Sequence, residues 1–291
     1  MHEVKNLLRA FLKYGLRGFS YAYWRYIMAP KILTHKRPLQ QKPTRDDFSV
    51  HMLVGSRDFL MGCWSIASFV RVMPEMGELC IHSDGTLTKV ECDTLKRLFP
   101  YVRIENTQTF LANHADLLSQ YPALKQFRET YTRFQIRIID QHFLSGKKYR
   151  LFLDSDLIWF REPKEIIDAL KANIPSPLMM SNGEYVRMEF KDGSLTDNTV
   201  SRPNGGIVLY REDQMDMDRM QEFLRKADYL HKRFGDQAWM AWTLRPALLP
   251  EETYIIKGTL TPSIVVRHYT NPSRLKFYFY GLNRVFHDIL K

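Results

Sequence analysis

Cysteine is scarce in this 291-residue chain: Cys63, Cys80 and Cys92 are the whole set. No pair has C-x-x-C spacing, and an odd, sparse set does not make a disulfide framework, so it points to a reducing, cytoplasmic setting. No segment offers the roughly 18 uninterrupted apolar residues of a membrane-spanning helix. The compact apolar stretch of a signal peptide is also missing, because basic residues recur through the first 45 positions. Internal repeats and low-complexity tracts are absent. Acidic residues are nearly absent from residues 1–45, which hold ten Lys/Arg and the single acid Glu3. The formal charge of +10 is therefore local, with +9 in this arm and +1 in everything after it. A nearly neutral body argues against a nucleic-acid partner. The basic arm points instead to an anionic surface such as a membrane, with the protein peripheral on its inner face.

The apolar fraction, 45%, is ordinary for a globular protein. Residues 3–28 read as one or two helices. Leu7, Leu8, Phe11 and Leu12 make an apolar face, and Lys5, Arg9, Lys13 and Arg17 a basic stripe beside it. Gly15 and Gly18 weaken the middle. Such a helix either lies on an anionic membrane or packs on the body with its basic face solvated. Pro30, Pro38 and Pro43 mark a linker over residues 30–47. Residues 1–47 are thus expected to be an arm and linker, and 48–291 a single α/β domain.

From residue 48, strands alternate with helices. Strands are expected at Phe48–Val54, Glu78–His82, Val102–Glu105 and Tyr149–Leu153, with helices at Met61–Val72, up to Phe99, and over Leu124–Leu144. This alternation predicts a mostly parallel central sheet, with ligands beyond the carboxyl ends of the strands. That rule selects Gly55–Asp58, Ser83–Gly85 and Asp154–Asp156. In an extended chain Asp154 and Asp156 point to one side while Ser155 points away. Two carboxylates can hold a divalent cation and leave positions open for a diphosphate. Eighteen aspartates make one Asp-x-Asp expected by chance. A second, Asp216-Met-Asp218, lies in a helix-like run where positions i and i+2 do not share a face, and reads as solvated helix surface.

Six segments in order resemble GT-A glycosyltransferases, most closely the retaining group of glycogenin and bacterial lipooligosaccharide galactosyltransferases. They are Val54-Gly-Ser-Arg-Asp58, Tyr131-Thr-Arg-Phe134, Leu153-Asp-Ser-Asp-Leu157, Asn204-Gly-Gly-Ile-Val208, Gly235-Asp-Gln237 and Arg267-His-Tyr269. The resemblance implies a Rossmann-like GT-A fold and hexose transfer, with retention, from a UDP-linked sugar to a glycan or glycolipid acceptor. It implies Mn²⁺ (or Mg²⁺) on Asp154, Asp156 and His268; a nitrogen ligand favours manganese. Asp236, Gln237 and Asn204 become catalytic candidates. Val54, Ser56, Arg57, Asp84, Arg133, Ser155, Gly205, Gly206 and Lys276 become nucleotide-sugar-binding candidates, with Arg274 an alternative to Lys276. The sequence departs from the group after His268, where it lacks the usual Gly and Lys-Pro-Trp. Each residue also has a structural reading: a core histidine, a tight turn at Gly205-Gly206, a helix N-cap at Asp236. Two rival functions are a nucleotidyltransferase, opposed by the lack of a Gly-rich basic loop after the first strand, and a nucleic-acid-binding protein, opposed by the neutral body.

Overall fold

Ten strands are described: β1 (Phe48–Val54), β2 (Glu78–Ser83), β3 (Val102–Asn106), β4 (Tyr149–Leu153), β5 (Leu157–Trp159), β6 (Leu178–Ser181), β7 (Pro203–Arg211), β8 (Ala247–Leu248), β9 (Tyr254–Ile255) and β10 (Val266–His268). The structure, a computed structural model, describes residues 2–130, 139–143, 146–181, 189–195, 202–227 and 235–291.

The main sheet has the order β3-β2-β1-β4-β7-β6-β8 and a small second sheet the order β5-β10-β9. Strands β1 to β4 pair in parallel, linked through β1. Strand β7 then enters antiparallel to both β4 and β6, and β8 returns parallel to β6. The sheet is thus mostly parallel, as the alternating pattern predicts, and the antiparallel β7 makes it mixed. β1 and β4 are buried nearly throughout because elements cover both faces of the sheet, which is why they read as continuous apolar runs.

Expected elements fall close to those observed. The helix predicted at Met61–Val72 spans Phe59–Val72. The one running up to Phe99 is Lys89–Leu98, opened by a capping box: Glu91 N–H donates to Thr88 Oγ1, and Thr88 N–H donates to Glu91 Oε2. The turn between that helix and β2 uses Gly85 at φ +86. Of the helix predicted over 124–144, Pro122–Thr130 and the turn Gln141–Phe143 are described, and residues 131–138 lie outside the described residues. Gly146, ahead of β4, has a φ of +53.

The arm divides where glycine allows it. Helix His2–Tyr14 ends at Gly15, whose φ of +55 suits a residue without Cβ, and Arg17–Tyr23 follows. This arm lies against the body. Ala10, Tyr21, Met28, Ala29 and Ile32 belong to the principal core. Trp64 Nε1 donates to the Ala29 carbonyl at 2.9 Å, and Trp24 meets Phe286 edge-on at 5.5 Å. The helical face expected to act as one unit is split: Leu7 packs on the core while Leu8 and Leu12 face solvent. Residues 30–47 are likewise fastened down. Leu39 N–H donates to Leu98 O at 2.8 Å, Thr44 N–H to Met76 O at 2.9 Å, and Gln40 is buried. No helix among the described residues is long and apolar enough to cross a membrane.

Candidate metal and donor site

β4 ends at Leu153, β5 begins at Leu157, and Asp154 and Asp156 occupy the turn between them. The turn is fixed from three sides. Asp154 N–H donates to the Gly206 carbonyl of β7 at 2.9 Å, Ser65 Oγ to the Asp154 carbonyl at 3.3 Å, and Tyr269 N–H to the Asp156 carbonyl at 2.8 Å. β10 runs antiparallel to β5 with His268 opposite Leu157, and this register delivers the histidine to the carboxylates. His268 Nε2 lies 3.3 Å from Asp154 Oδ2 and 2.9 Å from Asp156 Oδ1.

The opposite ring nitrogen is also fixed. His268 Nδ1 is 3.0 Å from Asn204 Oδ1, which accepts a second hydrogen bond from Gly206 N–H at 2.9 Å. An amide oxygen only accepts, so Nδ1 carries the proton and Nε2 faces the carboxylates. Gly206 is needed at this contact: a Cβ there would stand 2.6 Å from His268 Nδ1. Burial opposes a charged ring, but the Asp156 and Asp154 carboxylates outweigh it and raise the His268 imidazole to about 9. The side chains are graded in access, Asp154 being 24% exposed, Asp156 12% and His268 5%, so the pocket opens on the carboxylate side.

These features suit a divalent cation. Two carboxylate oxygens and one oriented imidazole nitrogen lie within 4.8 Å of one another, at the carboxyl end of a central strand. The sequence reading chose these three residues, and the fold brings them together.

The other candidates have definite places. Val54 is buried at the end of β1. Ser56 ties the first turn to the second: its N–H donates to Thr86 Oγ1 at 2.9 Å and its hydroxyl to Glu91 Oε2 at 2.6 Å. Arg57 is exposed. Asp84 accepts from Thr86 N–H at 3.0 Å, and its carboxylate lies over Gly55 where a Cβ would otherwise be. Ser155 Cβ lies near Gly62 of the Phe59–Val72 helix, 3.9 Å from where a Cβ on that glycine would stand. Asn204, Gly205 and Gly206 are buried in β7. Gln237 lies in the first turn of helix Gly235–Leu244, which packs on β7. Its Oε1 is buried with no hydrogen-bond partner among the described residues. Asp236 shares that helix start, and Arg133 lies outside the described residues. Lys276 sits over the Tyr14 ring at 5.8 Å.

Arg274 reaches the site instead. Its Nη2 is 2.9 Å from Asp58 Oδ1 and its Nε 3.8 Å from Asp156 Oδ2. One arginine thus joins the turn after β1 to the turn after β4. The sequence reading names Lys276, with Arg274 as its alternative, and nothing in their spacing separates them; the folding of the 270–276 loop brings Arg274 to the carboxylates.

No protein-family model matches the sequence, and no curated protein matches it in sequence. Solved structures do match in fold. One is the galactosyltransferase LgtC in complex with donor and acceptor sugar analogues, at 12% identity and TM-score 0.52, covering 83% of this chain and 95% of that one. An active-site mutant of LgtC aligns at 11% identity and TM-score 0.54, covering 83% and 94%. The bifunctional glycosyltransferase WbbM aligns at 13% identity and TM-score 0.52 over 86% of this chain. This chain spans 53% of WbbM's length. The fold is therefore the GT-A fold of glycosyltransferases.

Proposed function

We propose that this protein is a metal-dependent hexosyltransferase that takes sugar from a nucleotide-sugar donor, UDP-linked, and passes it to a glycan or glycolipid acceptor with retention of configuration. The observation that carries the reading is the Asp154–Asp156–His268 constellation, buttressed by Asn204 and Gly206, on a GT-A sheet. Asp154, Asp156 and His268 would hold Mn²⁺ or Mg²⁺, which when bound supplies positive charge to the departing diphosphate. Asn204 is a positioning residue: it holds the His268 ring with Nε2 towards the site, where a bound metal would take the place of the Nε2 proton. Arg274 adds a cation beside Asp156, where diphosphate charge would gather. Asp236 and Gln237, at a helix start against β7, are assigned to the sugar hydroxyls and the reacting carbon. Arg133 and the turns at Ser56, Arg57 and Asp84 are assigned to the nucleotide. Retention is inferred from the resemblance to the glycogenin and lipooligosaccharide galactosyltransferase group.

A donor screen tests this. Purified protein with Mn²⁺ is incubated with a panel of nucleotide sugars, and thermal shift and nucleotide release are read. One UDP-sugar is expected to stabilise the protein and release UDP in the presence of the metal. Pyrophosphate release from nucleoside triphosphates, with no response to any nucleotide sugar, would replace the reading with a nucleotidyltransferase.

A further inference from the structure

The arm packs on the body and still presents a second apolar face. On helix His2–Tyr14, Ala10 is fully buried and Leu7 and Tyr14 pack on the core, whereas Val4, Leu8 and Leu12 stand in solvent. Steps of four residues advance only about 40° around a helix, so these three form one ridge. Leu16, just past the glycine break, and Phe19, Tyr23 and Ile27 on the next segments stand in solvent as well. Their exposures run from 47% to 85%. Of the twelve large apolar side chains exposed among the described residues, seven lie in this arm. A helix docked on a globular body needs one apolar face, so the second needs a partner of its own.

The charge pattern states what that partner is. Lys5, Arg9, Lys13 and Arg17 each follow one of these apolar residues by one position and are exposed. Residues 4–45 contain no Asp or Glu. A narrow convex ridge bordered by cations fits a soft medium that is apolar within and anionic at its surface. A rigid protein partner would need a long matching groove lined with acids. We propose that the outward face of residues 4–27 docks in the plane of an anionic phospholipid bilayer, ridge among the acyl chains and cations on the head groups. The docked face adjoins the candidate site. Lys13 Nζ donates to the Pro272 carbonyl at 2.8 Å, in the loop whose Arg274 pairs with Asp58.

The test is flotation of full-length protein with vesicles of phosphatidylcholine alone or mixed with phosphatidylglycerol. Binding is expected to the mixed vesicles and to fall steeply as NaCl is raised. The variant Leu8→Gln/Leu12→Gln/Leu16→Gln keeps helix-forming residues at exposed positions. It should bind at least ~10-fold more weakly, since each Leu loses its burial in the bilayer, with an unchanged thermal midpoint. Lys5→Gln/Arg9→Gln/Arg17→Gln should lose binding to the mixed vesicles at low salt. No binding by wild type at low salt would overturn the proposal, as would undiminished binding of the triple-Gln leucine variant. A dimer seen by light scattering that this variant dissolves, with no vesicle binding, would assign the ridge to a second copy of the chain. UDP release in solution is read on the same samples, so a failure of the docking proposal and a failure of the transferase reading are separate results.

Discussion

Among the described residues, two clusters of three side chains bring possible metal ligands within 4.8 Å of one another: His51, Cys80 and His82 on β1 and β2, and Asp154, Asp156 and His268 between β4 and β10. By distance they are equals, and their chemistry separates them. The first is sealed: His51 and Cys80 are fully buried and His82 is 1% exposed. Its histidines are engaged with neutral partners, His51 Nδ1 with His82 Nε2 at 2.9 Å and His51 Nε2 with Ser49 Oγ at 2.9 Å. Burial, with Arg103 adding to it, pushes His82 down to about 3, and burial pushes the Cys80 thiol up to about 12, so the thiolate a metal needs is disfavoured. The second cluster carries two carboxylates, opens to solvent, and has one imidazole nitrogen aimed at them by Asn204. A ligand site needs charge and an entry path, and proximity alone also describes a packed, hydrogen-bonded core.

The largest effect expected from this contrast is on turnover. Asp154→Asn or Asp156→Asn should reduce sugar transfer by at least ~10²-fold, on the scale of losing one electrostatic stabiliser, with the thermal midpoint retained. Cys80→Ala, in the sealed cluster, should leave kcat within about twofold, since its thiol binds nothing in the reaction. Equal losses in both clusters would break the comparison.

Metal dependence comes next. EDTA should abolish transfer, and Mn²⁺ should restore it. His268→Ala should require at least ~10-fold more Mn²⁺ for half-maximal rate, within the range of losses seen when a metal's supporting shell is disturbed. Gly206→Ala should move the titration the same way, because its Cβ would press on His268 Nδ1 at 2.6 Å. A Mn²⁺ titration unchanged in both variants would make His268 structural.

The sealed cluster should show itself in acid. His82 is held at about 3 when folded against an ordinary 6.5, so the native state keeps it neutral while the unfolded chain takes up its proton. Its contribution to stability is present above about pH 6.5 and is lost as the pH falls towards 3. The loss per pH unit should steepen below pH 6.5, approaching about 1 kcal/mol per unit for this residue by pH 5. Urea unfolding of wild type and His82→Gln across that range checks the sign, and the variant's slope should be shallower. Parallel slopes would show that His82 is not held neutral in the folded state.

How much of this was legible in the sequence depends on whether the signal is local. β1 and β4 were read to the residue because covered strands are continuous apolar runs ended by polar turns. Asp154, Asp156 and His268 were read as a set through the order of motifs, which stands in for the β5–β10 register. The His51–His82 contact was missed because it joins residues 31 apart across two strands, with no spacing rule to mark it. The Asp58–Arg274 pair was missed for the same reason. The direction of β7 does not show in an apolar run, so the mixed character of the sheet was invisible. Residues 30–47 read as a linker from their prolines, yet Ile32 and Gln40 are buried, because tertiary contacts override local composition.

The smallest effect concerns the other Asp-x-Asp. Asp216 is the N-cap of helix Met217–Lys226, its Oδ1 accepting from Arg219 N–H at 2.9 Å, and Asp218 lies in the first turn. There a carboxylate satisfies an otherwise unpaired backbone donor and meets the positive end of the helix dipole. At Asp154 and Asp156 the carboxylates face a histidine and an arginine across a pocket. The same three-letter pattern thus performs two jobs, set by whether the chain is entering a helix or leaving a strand. Asp216→Ala should cost about 1 kcal/mol of stability, the usual worth of a lost cap. Asp216→Asn should cost less, because asparagine caps as well. Neither should change turnover or the Mn²⁺ requirement. A loss of transfer in Asp216→Asn comparable to that in Asp154→Asn would mean that the motif at 216 and 218 takes part in the reaction.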